Sequence, residues 1–511
     1  MSFNVEREVL LIAPEILNAR SMPSVGVGYI ASYLKNKGVA VRIHDAQFSK
    51  ADSSKELRKL EPTLVGIAVE SRTFRRALRL AQVAKRCGHT VLVGGLHVSL
   101  VKEEMLRSCD AIDYAIHGDG EVPVFQLVEA LSGKRPFDRV SGLIWREGGE
   151  IRINENTTAL KLDELPLPDY RLAGIENIPL YPLVTSRDCP FKCSFCTVGQ
   201  LSHGRFRPQS AERAVSEIQI AKEHYGTKGF IVVDENFSFK KSRAMEFCQS
   251  LIDKKVNLPW TAFEGVRADA LTEDFLDLLK ASNCKWIFFG IETVENTVLR
   301  EVQKGGKFKH VERAVKLARS YGFKVGGFLI VGLPGSTYET DCETLAWART
   351  HLDKCTFWTA IPYYGTGMHD WVLENGRLLR PPVGSNLINT LSTNPFFETP
   401  DYPAKLRKRM HITSNICNGI DYFVDHLDFE SWRRLKLSER TRSSSQRKML
   451  KLAHRYCPDV LPYLRNEVLP PNDYKPQHMI PDINGAEEPL PRDLRGTRAT
   501  PIRNAISEAA E

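Results

Sequence analysis

Short apolar runs that end in Gly, Pro or polar residues alternate with helix-period stretches in this chain, in two separate blocks. Across residues 9–132 the runs are VLLIAP (9–14), VAVRIHDA (39–46), LVGIAVE (64–70), TVLVGGLH (90–97) and YAIHGDGE (114–121). VGYIASYLKNKG and FRRALRLAQVAKRCG lie between them, the second with apolar residues at helical spacing. Parallel strands need a crossover, and a helix that returns over the sheet supplies it, so this pattern predicts an α/β domain with a doubly wound parallel sheet. A second block spans about 182–365, with YPLVTSR, GFIVVDEN, WTAFEGVR, WIFFGIET, KVGGFLIVGLP and CTFWTAIPYY as its strands. Six β/α units in succession predict a partial or full β/α barrel.

These blocks divide the 511 residues, which leave room for about three domains of ordinary size. The boundaries expected are an α/β domain over 1–137, a linker over 138–180 and a barrel over 181–367. A mainly helical region over 368–468 would close the barrel, with a proline-rich, disordered tail over 469–511. Within 138–180, RVSGLIWREGGEIRINENTT reads as a small hairpin and LDELPLPDY as a connector. A hydrophobic content of 42% against 26% charged residues is that of a soluble globular protein able to bury real cores. No stretch is long enough to span a bilayer, and the N-terminus does not read as a secretory leader. The expected compartment is therefore cytoplasmic, where disulfides are disfavoured. A net charge of +8 is mild for the length; the basic run at 432–451 reads as a solvated helical face, and nucleic acid is not an expected partner.

In both architectures ligands gather beyond the carboxyl ends of the strands. In the first block those ends are Pro14, Asp45, Glu70-Ser71-Arg72, Gly94-Gly95-Leu96-His97 and Gly118-Asp119-Gly120-Glu121. In the second, the first strand is followed at once by Cys189, Cys193 and Cys196, three of the chain's 11 cysteines inside eight positions. Outside an oxidising compartment such a group points to metal ligation or thiol chemistry. A structural zinc site wants four ligands, and Cys248 and Cys284 stand 52 and 88 residues further on, in helix-like segments. A redox C-x-x-C would leave Cys189 idle. A four-iron cluster on three thiolates leaves one iron open for a ligand, and cysteines at comparably tight spacings hold such clusters.

The stretch CPFKCSFC, with Phe195 before the last cysteine, resembles the signature of radical S-adenosylmethionine (radical SAM) enzymes. The resemblance continues along the barrel. VVDENF (Asp234, Glu235, Asn236) is similar to a segment near the methionine amino group in that family. FFGIETVENTVLREVQKG (Glu292, Lys304) resembles its fourth-strand SAM contact. GLPG (Gly332, Pro334, Gly335) resembles the stretch beside the adenine, and IPYYGTGM the sixth-strand ending, with Tyr364 and Gly367 in place of prolines. The resemblance implies a 4Fe-4S cluster on Cys189, Cys193 and Cys196 that chelates S-adenosylmethionine and cleaves it by one electron. It also implies an electron donor such as flavodoxin or ferredoxin, and a radical that abstracts hydrogen from a small-molecule substrate.

The first block is similar to the cobalamin-binding domain found in a subgroup of that family, so the two matches together cover residues 8–367. The Asp-x-His-x-x-Gly motif that brings a histidine to cobalt is absent, since His44 lacks its context. The resemblance therefore places Glu70, Ser71 and Arg72 beside the cobalt, with Gly94, Gly95, His97, Gly118, Gly120 and Glu121 toward the corrin and its tail. Dinucleotide binding is the competing reading, from GVGYIA (Gly26, Gly28, Ala31) with Asp45 beyond it. The fingerprint wants its glycines directly after the strand, however, and eleven residues separate Pro14 from Gly26.

The expected activity is cobalamin-dependent methyl transfer to an unactivated carbon or phosphorus, with two SAM consumed per turnover. Radical oxidation, cyclisation or rearrangement without methyl transfer is the alternative, and a cluster-bearing sensor that never turns over a third. RNA methylthiolation is disfavoured, because the first domain lacks the cysteines for a second cluster. Tyr363, Tyr364, His369 and Trp371 are candidate lining residues of the substrate site.

Overall fold

The computed structural model describes residues 8–15, 22–49, 51–382 and 394–414. Both sheets expected from the sequence form. The first contains β1 (Val9–Ala13), β2 (Val41–Asp45), β3 (Leu64–Ala68), β4 (Thr90–Gly94) and β5 (Tyr114–Ile116), all parallel, in the order β2-β1-β3-β4-β5. Every residue of β1 is buried, as a central strand with helices on both faces requires. Helices Phe74–Arg86 and Leu96–Val101 cover one face around Phe74, Leu78, Val91 and Val98. Helices Val25–Asn36 and Glu121–Leu131 cover the other around Leu11, Leu34, Leu92 and Leu127. The sheet is therefore doubly wound.

The hairpin expected inside the linker forms, but it is not linker. Strands β6 (Leu143–Glu147) and β7 (Glu150–Ile153) extend the first sheet antiparallel to β5, with Ala115 opposite Ile144. Leu143, Ile144 and Trp145 are buried in that sheet's two cores. Only the stretch after β7 connects the domains, and it is anchored: Tyr170 is 1% exposed and its amide donates a hydrogen bond to Tyr225 Oη, 2.9 Å away. Gly28 of the supposed dinucleotide fingerprint lies within the first helix, where an added Cβ would stand 2.8 Å from the Tyr170 ring. Asp45 accepts from the amides of Ser24 and Gln47 and is 3% exposed. These residues pack and cap, and leave no ribose contact to make.

The second sheet is an open barrel of six parallel strands, β8 (Leu180–Leu183), β11 (Gly229–Val232), β12 (Trp260–Val266), β13 (Cys284–Glu292), β14 (Lys324–Val331) and β15 (Lys354–Thr359), in that spatial order. Between β8 and β11 a short antiparallel pair, β9 (Ser186–Arg187) and β10 (Arg207–Pro208), pinches off a loop of the chain. Helix Ala211–Tyr225 then starts at Ser210, whose Oγ accepts from the Arg213 amide, and stops at Gly226 in left-handed conformation. Such an N-cap is worth about 1 kcal/mol. Beneath the strands, Phe230 stacks on Trp260 at 5.6 Å, with Phe237 and Phe247 edge-on.

Beyond β15 the described chain comprises helix Gly367–Asn375, the pairing of Arg377–Leu378 with Phe397–Glu398, and a helix over 404–414. The basic run at 432–451, the rest of the expected helical region and the tail lie outside the described residues. No described helix is long and apolar enough to cross a membrane.

Candidate active site

The loop pinched off by β9 and β10 carries all three cysteines. Cys193 is buried, while Cys189 and Cys196 are partly exposed. Burial pushes the Cys193 thiol up to about 11, opposed chiefly by the Lys304 ammonium. Burial raises Cys196 as well, opposed by the amides of Gly199 and Val198, which point at its sulfur from helix Thr197–Ser202. Asn236 donates to Cys189 Sγ at 3.6 Å, and the Lys304 carbonyl lies 3.9 Å from Cys193 Sγ. Amide and side-chain donors around sulfur favour thiolate, which is the ligating form. Among the described residues no three His, Cys, Asp or Glu side chains converge tightly enough for a single ion. The donor set is three thiolates of one loop with neighbouring donors for their charge, which fits a cluster larger than one metal.

Asp234, expected near the cofactor, is turned inward. It is fully buried and accepts from Thr185 N at 2.6 Å, Thr185 Oγ1 at 2.5 Å and Ser186 Oγ at 2.7 Å, with Arg243 Nη2 at 3.8 Å. Its oxygens hold the chain between β8 and β9. Glu235 beside it keeps an exposed side chain at the strand end, and desolvation by the surrounding protein pushes its carboxyl up to about 7. Glu292 and Lys304 form an ion pair of 2.6 Å. Glu292 ends β13 at φ 65°, a conformation side chains rarely adopt, and such strain clusters at ligand sites. Burial works against the Lys304 charge, but Glu292 and the cysteines outweigh it and raise its pKa. Lys304 Nζ also lies 5.9 Å from the Phe195 ring centroid, within reach of the cysteine loop.

Gly332 is not free to meet a purine through both backbone groups. Its amide donates to Asp341 Oδ2 at 2.8 Å and its carbonyl accepts from Arg407 Nη1 at 2.5 Å. At φ 78° an added Cβ would stand 2.3 Å from that guanidinium. Arg407 is itself held by the Tyr402 carbonyl and between the Phe397 and Tyr402 rings. Leu333 and Pro334 are buried beside it, while Gly335 is exposed. The segment 396–410 thus sets the shape of the β14 end, a role that nothing in its sequence pattern advertised.

At the first domain's strand ends, Gly95 and Gly118 are exposed in left-handed conformation, and Leu96 is 44% exposed. A Cβ on Gly95 would meet the Val69 carbonyl at 2.9 Å, so the flat edge requires glycine there. An apolar, glycine-edged ledge of this kind fits the face of a large planar ring. The helix after β4 packs against helix Thr197–Ser202, so this ledge adjoins the cysteine loop. Glu70 and Arg72 form an ion pair at the same edge, and both act on Tyr363, beyond β15, whose hydroxyl burial pushes up to about 12. Tyr364 packs on the first domain's core and tilts against His369 at 5.2 Å, while Trp371 packs on the core of the C-terminal segment. Tyr363 and Tyr364 therefore join the two domains.

His97 and Glu121 differ from expectation. His97 is 1% exposed, packs on Phe74 and pairs Nδ1 with Ser71 Oγ at 3.0 Å, and burial pushes it down to about 4. It stands behind the Ser71 loop and supports it. Glu121 is 4% exposed and accepts from Arg187 Nη2 at 2.7 Å across the domain boundary. Gly120 packs on Ile30, where a Cβ would lie 2.7 Å from Cδ1. Arg187 and Arg207 escaped the sequence reading, although they flank the cysteine loop on either side.

A radical SAM superfamily model matches residues 183–348 and a B12 binding domain model residues 19–128. An uncharacterized methyltransferase of Pyrococcus horikoshii is 30% identical over 391 residues, 73% of this chain and 84% of the relative. Cytidylyl-2-hydroxyethylphosphonate methyltransferase of Streptomyces wedmorensis is 26% identical, covering 70% and 80%. The radical SAM methyltransferase TsrM of Kitasatospora setae, solved with cobalamin and a 4Fe-4S cluster, shares the fold at TM-score 0.62 and 20% identity, over 72% of this chain and 78% of that one. Cysteine loop, ion pair and glycine-edged ledge all stand at strand ends of the two matched regions, and the chain belongs to the radical SAM enzymes with a B12-binding domain, which use a 4Fe-4S cluster, S-adenosylmethionine and cobalamin.

Proposed function

We propose that this enzyme transfers a methyl group, by way of cobalamin, to an unactivated carbon or phosphorus of a small-molecule metabolite in the cytoplasm. The observation that carries the reading is the apposition of the ledge at Gly95–Leu96 to the helix that follows Cys196. Two methyltransferase relatives, matched over 73% and 70% of the chain, support it. When bound, the three groups supply one-electron cleavage of S-adenosylmethionine, a radical that takes hydrogen from substrate, and a cobalt carrier for the methyl group.

The chain's own residues hold and orient these groups. Cys189, Cys193 and Cys196 would hold the 4Fe-4S cluster, which with three protein ligands would have a position open to S-adenosylmethionine. Glu292, held by Lys304, accepts from the amino group or a ribose hydroxyl, and Glu235 offers a second carboxylate at a strand end of the same barrel. Arg72 and Glu70, paired at the first domain's strand ends, would be among the residues that hold cobalamin, in a sequence without the histidine motif that supplies a cobalt ligand. Tyr363, buried against them, excludes water from the space between the domains. The electron comes from a small carrier protein such as flavodoxin or ferredoxin.

The second reading, radical oxidation or cyclisation, has an anaerobic magnesium-protoporphyrin IX monomethyl ester cyclase of Rubrivivax gelatinosus behind it, 26% identical over 65% of this chain and 62% of the relative. The test is anaerobic turnover of cobalamin-loaded protein with candidate substrates. Methyl transfer yields S-adenosylhomocysteine and 5′-deoxyadenosine together. 5′-Deoxyadenosine without S-adenosylhomocysteine, from protein carrying both cofactors, refutes methyl transfer and favours the second reading.

A further inference from the structure

The two-residue ladder at the neck of the cysteine loop sets Arg187 directly opposite Arg207. Like charges in that relation destabilise a strand pair, so the neck needs anions from elsewhere. Asp188, the residue before Cys189, supplies one: it sits at φ 72° and accepts from Arg207 Nε at 2.6 Å. The others come from the first domain. Glu121 takes Arg187 Nη2 at 2.7 Å, and Asp119 pairs with Arg207 and stands 3.8 Å from Arg187 Nη1. Arg207 also reaches the Leu160 carbonyl at 3.3 Å, and Arg187 lies 4.8 Å from the Tyr29 ring centroid. The side chains of Arg187, Glu121, Arg207 and Asp188 are all at most 17% exposed, so water does little to screen the network.

We propose that Asp119 and Glu121 complete the neck of the cysteine loop, so that the second domain keeps its cluster only when the first domain's acids are in place. They are positioning residues acting through Arg187 and Arg207. The proposal rests on Cys189, Cys193 and Cys196 being cluster ligands. It makes the Gly118–Glu121 turn an electrostatic latch that couples one cofactor domain to the other.

The test uses full-length protein purified anaerobically with its cluster. Iron release to a chelator is followed optically, the reduced cluster's paramagnetic spectrum is recorded with and without S-adenosylmethionine, and the unfolding midpoint is measured in parallel. The variants are Asp119→Asn, Glu121→Gln, Arg207→Lys and the double variant Glu121→Gln/Arg187→Gln, with Asp163→Asn as a control elsewhere at the domain junction. Release is expected to be roughly three- to tenfold faster in each of the three single latch variants, a coupling of ordinary size for contacting residues, at temperatures well below each variant's own unfolding midpoint, which itself falls where a buried charge loses its partner. The double variant is expected to move back toward wild type, because removing both partners leaves no buried charge unmatched. Arg207→Lys keeps the charge but cannot bridge Asp119 and Asp188 as a fork does, so it reports even where the acid variants fold poorly. Variants that release iron at the wild-type rate overturn the latch, as does a double variant worse than Glu121→Gln. Wild type purified without a 4Fe-4S cluster overturns the cluster assignment itself, so the two failures are distinct.

Discussion

Replacing Asp234 separates a strut from a cofactor contact. The carboxylate accepts three hydrogen bonds of 2.5–2.7 Å from Thr185 and Ser186, with Arg243 3.8 Å away. In Asp234→Ala the two hydroxyls can reorient, but the Thr185 amide loses its acceptor. Arg243 keeps only neutral partners, Thr185 and the Phe237 carbonyl. Breaking a buried ion pair from one side costs about 3–5 kcal/mol, and partial compensation by those carbonyls sets the expectation near the lower bound, about 3 kcal/mol. Asp234→Asn keeps one acceptor for the amide and gives up charge-assisted bonding, for about 1–2 kcal/mol. The assay is urea unfolding of iron-free protein without S-adenosylmethionine, with amide hydrogen exchange over residues 180–187 to localise the loss. The ordering Ala worse than Asn, with lost protection at Thr185, is the expected result. Unchanged unfolding and protection together with weakened S-adenosylmethionine binding would refute the strut and return Asp234 to the cofactor.

Burial pushes Asp341 and Glu217 each up to about 7, so between about pH 4 and 7 the folded state holds protons that the unfolded state has released. Stability therefore falls as pH rises across that window, and Asp341→Asn is expected to flatten the profile of urea midpoints taken from pH 5 to 7.5. Gly290→Ala would set a Cβ 3.0 Å from both Glu292 Oε1 and Lys304 Nζ. Displacing that pair is expected to lower 5′-deoxyadenosine formation at unchanged iron content, and equal rates would count against a role for the pair in binding. Cys193→Ala is expected to abolish the four-iron spectrum; a full cluster in that variant would overturn the ligand assignment.

The sequence made the strands and the cysteine loop legible because both are local signals. All eleven long apolar runs became parallel strands, and the cysteines fell at the first barrel strand end, since period and spacing are properties of a short window. The hairpin at 143–153 is legible as a hairpin, but its sequence places it in the linker. Nothing local tells an edge strand from a free hairpin; what decides it is the unpaired edge of β5 waiting for Ile144. The candidate site was legible in its residues more than in their tasks. Asp234 and Glu235 are adjacent and chemically alike, yet one is buried and consumed by Thr185 and Ser186 while the other stays exposed, a difference fixed by which way each Cβ leaves the strand end.

Glu121 shows why the remaining tasks were hidden. As a carboxylate after Gly120 at the start of a helix, it reads as a cap or as a contact for whatever the strand ends hold. Its partner is 66 residues away in another domain, beside a cysteine loop that looked self-sufficient. The clue was the flanking arginines themselves. A loop whose two ends bring Arg187 and Arg207 together cannot close on its own charge, so its sequence implied acids from elsewhere before the fold said which. Reading the ends of a ligand loop for unbalanced charge, and then searching the other domain's strand ends for the complement, would have found Asp119 and Glu121. It would also have withdrawn Glu121 from the corrin, because a carboxylate committed to a buried guanidinium has no charge left for a cofactor tail.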